Sequence, residues 1–250
     1  MKKWDFSTRI TLHDKGGNAY TLYELWATDR TRCSYDNGKT GIPSVSTLAG
    51  FSGHDYNGYL PEILKPYFGG VSGTCQCDCE GCYAMKMTRF PNVAIKFLLN
   101  TIEAKTDPER FFRMVEDELF RNGNTWENVR LHDSGDMHNS EYYKAAMDFV
   151  NRHPETNFGT YTKRETLVNE YGINNIPKNL IMSCSPWKGH CEPIGDLPQF
   201  IYDDGTDPEL AKLPHCPAVD KHGKRTGVTC NKCKHCYTAD RGARWAVHAH

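Results

Sequence analysis

The stretch Val129-Arg130-Leu131-His132-Asp133-Ser134-Gly135-Asp136, together with the chain just after it, decides the architecture. A short β-like run ends there in a polar turn with a central glycine. Ser140 then caps a helix through Arg152, with Tyr143, Ala146, Met147 and Val150 at helical spacing. Phe158 to Thr162 reads as a strand, Glu165 to Tyr171 as a helix, and Leu180 to Cys184 as a further strand. Phe200 to Tyr202 is strand-like, and Pro208 to Leu213 is a short helix. Strands and helices alternating through short connections build βα units and a parallel sheet, so the chain is α/β. The pattern predicts a partial or complete TIM-like (βα) barrel; with about four to six units visible, the partial form fits better.

Upstream, Pro91 to Ile102 is apolar at helical spacing, and Asp107 can cap a second helix that starts at Pro108. Residues 28 to 74 are rich in Gly, Ser, Tyr and Pro and read as loop. Trp4 to Leu12 alternates, a turn comes over 14–18, and the run Tyr20 to Ala27 returns, which predicts a β-hairpin. The chain divides into an N-terminal hairpin and loop region (1–60), a barrel core (61–213) and a Cys-rich extension (214–250).

Composition narrows the class. Thirty basic and 31 acidic residues give a net charge of −1, against the basic excess of a dedicated nucleic-acid binder. No run of about 18 apolar residues occurs, which excludes a transmembrane helix, and the start has no secretory apolar region. Eleven cysteines, clustered and odd in number, point to metal ligation in a reducing compartment and not to a disulfide scaffold.

Thr74-Cys75-Gln76-Cys77-Asp78-Cys79-Glu80-Gly81-Cys82-Tyr83 packs four of them into eight residues. Thiolates are soft ligands that select iron–sulfur clusters, zinc or copper(I). Cys75, Cys79 and Cys82 have the spacing C-x3-C-x2-C, able to hold three irons of a [4Fe–4S] cube and leave the fourth open. Cys77 is a candidate fourth ligand that would close it. A structural zinc knot would use the same thiolates.

This loop resembles the cluster loop of the radical S-adenosylmethionine (SAM) superfamily, which comes after the first strand of a partial barrel. Gly81-Cys82-Tyr83-Ala84-Met85-Lys86, the later Ser134-Gly135-Asp136 and Tyr161-Thr162-Lys163, and the Cys-rich tail also resemble the phage-associated gene product 88 family. The resemblance implies that Ser134-Gly135-Asp136 stands where the superfamily receives the methionine amino group of SAM. It also implies a cytoplasmic protein, in the host cytoplasm if phage-encoded. Gly81 departs from the superfamily, which usually has an aromatic there.

Under the barrel reading, Ser134, Gly135, Asp136, Tyr161, Lys163 and Ser183 line the strand ends beside the first cysteine group. Gly135 permits close approach, and Asp136 offers a carboxylate to an ammonium or a ribose hydroxyl. The alternatives are a capping turn for Ser134-Gly135-Asp136 and a solvated strand end for Lys163. No Walker loop or G-x-G-x-x-G occurs.

The tail holds Cys216, then Cys230, Cys233 and Cys236, the thiolate complement of a closed [4Fe–4S] cluster. Zinc is the rival, with His215 or His235 as an optional ligand. Cys184 and Cys191 are buried thiols or substitute ligands. Three functions are open: a radical SAM-like enzyme with an auxiliary cluster; an iron–sulfur oxidoreductase passing electrons to a flavin (FMN) or a partner; or a zinc-stapled binding module. The implied partner is a small-molecule substrate or a redox protein, not nucleic acid or membrane.

Overall fold

The computed structural model describes residues 11–13, 19–21, 31–35, 41–50, 71–76, 79, 82–186 and 191–248. Of the expected N-terminal hairpin, β1 (Thr11–His13) pairs antiparallel with β2 (Ala19–Thr21), Leu12 opposite Tyr20. Residues 4–10, 14–18 and 22–27 of that expectation lie outside the described residues.

A seven-stranded sheet runs in strict chain order, β3 (Cys33–Ser34), β4 (Ser44–Val45), β5 (Asn128–Leu131), β6 (Asn157–Thr162), β7 (Leu180–Cys184), β8 (Gln199–Asp203) and β9 (Arg244–His248). β3 pairs antiparallel with β4; every later neighbour is parallel. The α/β class is present; among the described residues the order ends at β3 and β9 and the sheet does not close into a complete barrel. The parallel strands among the described residues number six, against the eight of a complete TIM barrel. The sheet draws on all three stretches of chain, since β3 and β4 precede residue 60 and β9 lies beyond residue 213.

Three of these strands fall where a loop or an extension is expected. β3 and β4 are two residues each, set among Gly41, Pro43 and Ser46, too short to show alternation. Pairing far along the chain makes them, as when Ser44 meets Arg130. Glu118 holds β3 from the side: its carboxylate accepts from the backbone N–H of Arg32 (2.6 Å) and Cys33 (3.0 Å).

The connections carry the helices α1 (Tyr83–Lys86), α2 (Pro91–Thr106), α3 (Pro108–Leu119), α4 (Ser140–Asn151), α5 (Glu165–Tyr171), α6 (Cys230–Cys233) and α7 (His235–Thr238). Pro91 and Pro108 occupy first turns, and the Asp107 side chain accepts from the Arg110 N–H at 2.9 Å. The cap of α4 is Asn139 instead of Ser140: its extended backbone (φ −155°) lets Oδ1 accept from the Tyr142 N–H at 2.8 Å. The helix expected over 208–213 shrinks to a 3-10 turn at Leu210–Lys212.

One sheet face is apolar. Val129, Leu131, Phe158, Leu180 and Met182 pack with Phe111, Phe112, Val115 and Leu119 of α3 and Phe149 and Val150 of α4. Each large side chain buried there contributes about 1.5–3 kcal/mol. Alternation sends Arg130, Gly159, Tyr161 and Ser183 to the opposite face.

His132, just past β5, is buried with Nδ1 3.0 Å from Thr160 Oγ1 and Nε2 2.9 Å from Tyr142 Oη. Burial, with Arg130 adding to it, pushes its pKa down to about 4 from the ordinary 6.5. Between those values the unfolded chain binds a proton that the folded chain refuses, so stability falls as pH drops through that window. Chemical denaturation from pH 7 to pH 4 should show a loss of up to about 3 kcal/mol from this group. His132→Asn, which tolerates the positive φ there, should be less stable at pH 7 and flatten that slope. An unchanged slope would remove His132 as its source.

Candidate metal centres

The first cysteine group is fixed by one hydroxyl. Thr74 Oγ1 donates to the Leu48 carbonyl (3.0 Å) and accepts from the Asp136 N–H (2.9 Å). Its single proton being spent, the Thr47 hydroxyl at 2.9 Å is the donor of that pair. The backbone agrees: Thr74 N–H donates to the Leu48 carbonyl (2.9 Å), and Thr47 N–H to the Ser134 carbonyl (3.1 Å). Cys75 is thus held at the carboxyl ends of β4 and β5. Gly135 closes the junction at φ +85°, where a Cβ would lie 2.1 Å from Thr47 Oγ1 and 2.5 Å from Thr74 Oγ1.

Cys82 opens α1, and the backbone N–H groups of Ala84 and Met85 ease its thiolate, although burial still raises its pKa. Burial raises the Cys75 thiol well above its ordinary range, with Asp136 adding to the rise and Lys163 opposing it. Cys79 stands within electrostatic reach of Cys82. A cation bound to these thiols must displace their protons. Cys77 and Gly81 lie outside the described residues.

Of the predicted cofactor residues, Ser134, Gly135, Asp136 and Lys163 come beside Thr74 and Cys75, while Tyr161 turns to Cys236. Asp136 is buried; Oδ1 accepts from the Met137 N–H (2.7 Å) and Oδ2 from the Lys163 N–H (2.8 Å). Its carboxylate ties the Ser134-Gly135-Asp136 turn to the end of β6 instead of standing open to an ammonium. The groups without a partner are hydroxyls: Ser134 and Ser183 are buried, and neither Oγ has a hydrogen bond among the described residues. Lys163 reaches Cys75 and Cys82 electrostatically.

The tail cysteines come together. Cys216, Cys230, Cys233 and Cys236 line one pocket, with Pro217, Ala218, Lys234, His235 and Tyr237. α6 presents Cys230 and Cys233, a left-handed Lys234 (φ 56°) turns the chain, and α7 presents Cys236. Cys216 enters along β9, its N–H donating to the Ala246 carbonyl at 2.8 Å. Burial pushes the Cys236 thiol up to about 11, against the Tyr161 hydroxyl, which donates to Sγ at 2.8 Å, and the Arg130 guanidinium. Arg130 pairs with Asp133 (2.8 Å) and lies 4.8 Å from the Tyr161 ring centre; that ring meets Phe200 at 4.8 Å. Of the optional ligands, His235 lines the pocket, while His215 turns to Asp203 (2.9 Å). Among the described residues no three cysteine sulfurs lie within 4.8 Å of one another.

Cys184 and Cys191 sit together beside the Glu192 carbonyl (3.5 and 3.3 Å); a hydrogen bond between them lowers Cys184 and raises Cys191. Cys33 is a buried thiol in β3. Sequence reasoning missed Thr47 and Thr74, which carry no motif. It also missed Gly159, on which Tyr237 lies, although a glycine inside a strand signals a close neighbour.

A Cβ on Gly159 would stand 2.7 Å from Tyr237 Cε1. Gly159→Ala should cost about 1–3 kcal/mol by overpacking. In the background of Tyr237→Leu the cost should be smaller, read as a coupling in a double-mutant denaturation cycle. Additive costs would mean that Tyr237 does not rest on this strand.

The sequence profile of a family described as gene product 88 matches residues 49–239, a span that holds both cysteine groups. No curated protein and no solved structure matches the chain.

Proposed function

The chain belongs to the gene product 88 family, and we propose that it is an iron–sulfur redox protein, radical SAM-like, with one cluster on Cys75, Cys79 and Cys82 and an auxiliary one in the tail pocket. The observation that carries this reading is the lining of one pocket by Cys216, Cys230, Cys233 and Cys236. Tetrahedral zinc, with bonds of about 2.3 Å, would draw four sulfurs to about 3.8 Å of one another. A cube would take the same four thiolates, one on each iron. The strand order, each parallel strand beside its predecessor, supports kinship with partial barrels, as does the place of Cys75 at strand carboxyl ends.

With its fourth iron open, the first cluster would supply one electron to SAM. The chain's own part is to hold Cys75 through Thr74, to offer the Ser134 and Ser183 hydroxyls, and to keep Lys163 beside the thiols. The Tyr161 hydroxyl on Cys236 Sγ would favour the reduced, more negative state of the auxiliary centre. One observation favours a second reading. The Asp136 carboxylate is already occupied by two backbone N–H groups, so an electron-transfer protein serving a flavin or a redox partner, without SAM, fits that residue better.

Anaerobic protein should contain iron and acid-labile sulfide at about eight each per chain. Cys233→Ser should lose about half of both and melt earlier. Stoichiometric zinc without sulfide would end the iron–sulfur reading. Added SAM should perturb the EPR spectrum of the reduced protein, and Cys77→Ala should retain that effect. A spectrum indifferent to SAM would select electron transfer, with acid-released flavin then sought by absorbance.

A further inference from the structure

Outside the cysteine groups, three side chains of two other ligand types meet at the carboxyl ends of β8 and β9. Asp203 Oδ2 lies 2.9 Å from His215 Nε2 and 3.4 Å from His248 Nδ1, and the three donor atoms all fall within 4.8 Å of one another. The imidazole rings stack at 4.0 Å and 16°. The Asp203 side chain is buried, and both imidazoles are half-buried.

We propose that Asp203, His215 and His248 form a third metal site, for a first-row divalent cation of the zinc or ferrous kind, separate from the cysteine pocket. Three features support it. Bonds of about 2.0–2.2 Å from one ion to nitrogen and oxygen set neighbouring donors about 3–3.4 Å apart, the spacing seen around Oδ2. His215 Nδ1 lies 2.9 Å from the Leu213 carbonyl, to which it donates; this holds the ring with Nε2 toward Oδ2, as metal-bound histidines are held by their other nitrogen. The Gly205 N–H donates to Asp203 Oδ1 at 2.9 Å, which occupies that oxygen and leaves Oδ2 at the centre of the group.

Two imidazoles and one carboxylate suit zinc or ferrous iron, and three protein ligands leave positions for water or a small ligand. The ion would also tie together three segments. Asp203 and His248 end neighbouring strands, and His215 bridges to Ala246 immediately before Cys216. It would thereby brace one wall of the tail cysteine pocket, while its own binding needs no thiolate.

Cobalt(II) is the probe, titrated anaerobically into the purified full chain with its thiol sites loaded. Calorimetry should show one equivalent bound, and X-ray absorption at the cobalt edge should show nitrogen and oxygen neighbours without sulfur. The melting temperature should rise on binding. Asp203→Asn and, separately, His248→Gln should each weaken binding at least tenfold, and Glu209→Gln, at an exposed carboxylate between Asp203 and His215, should leave it within twofold. Should Asp203→Asn fail to fold, His248→Gln decides alone. Absence of binding, sulfur neighbours around cobalt, or equal affinity in His248→Gln would overturn the site.

Discussion

Strand β6 is the constraint on which both cysteine groups depend. Its alternation puts Gly159 and Tyr161 on one side of the sheet, and Lys163 follows immediately after its last residue. Gly159 receives the ring of Tyr237, Tyr161 donates to Cys236, and Lys163 sits in the field of Cys75 and Cys82. The opposite side of the same strand gives Phe158 to the apolar core. A register shift by one residue would exchange the two faces, burying Tyr161 in hydrocarbon and uncovering Phe158.

Burial is what makes these thiols interesting. Desolvation raises Cys75, Cys82 and Cys236, and Lys163, Arg130 and N–H donors act against that rise. Those groups favour negative charge on sulfur, the form that ligates metal. The Asp203, His215 and His248 group has another chemistry, with nitrogen and oxygen donors and a carboxylate at its centre. Softness of the ligands thus sorts the candidate centres into two kinds.

Much of the framework is legible in sequence because its signals are local. Asp107 and Pro108 start α3, and Leu180 to Cys184 is a strand with the bounds its residues suggest. β3 and β4 are illegible because two residues carry no period and distant partners create them. Ser140 and Asn139 are both good caps, and only the backbone angle at Asn139 decides between them. The cysteine spacing shows which thiols belong together in the tail, since all four meet in one pocket. Asp136 is legible in place but not in role, because its partners are main-chain N–H groups that no side-chain pattern announces. His215 has a ligand's identity, but its partners lie twelve and thirty-three residues away, on β8 and β9.

The two proposed iron–sulfur centres would both lie near β6. EPR of the fully reduced, anaerobic protein tests this most directly, because two paramagnetic cubes close to one another broaden one another's signals. The account predicts a broadened, coupled spectrum in wild type that sharpens to a single cube when Cys216→Ala removes the tail cluster. A sharp single-cluster spectrum in wild type, unchanged by that substitution, would contradict it, as would protein without iron.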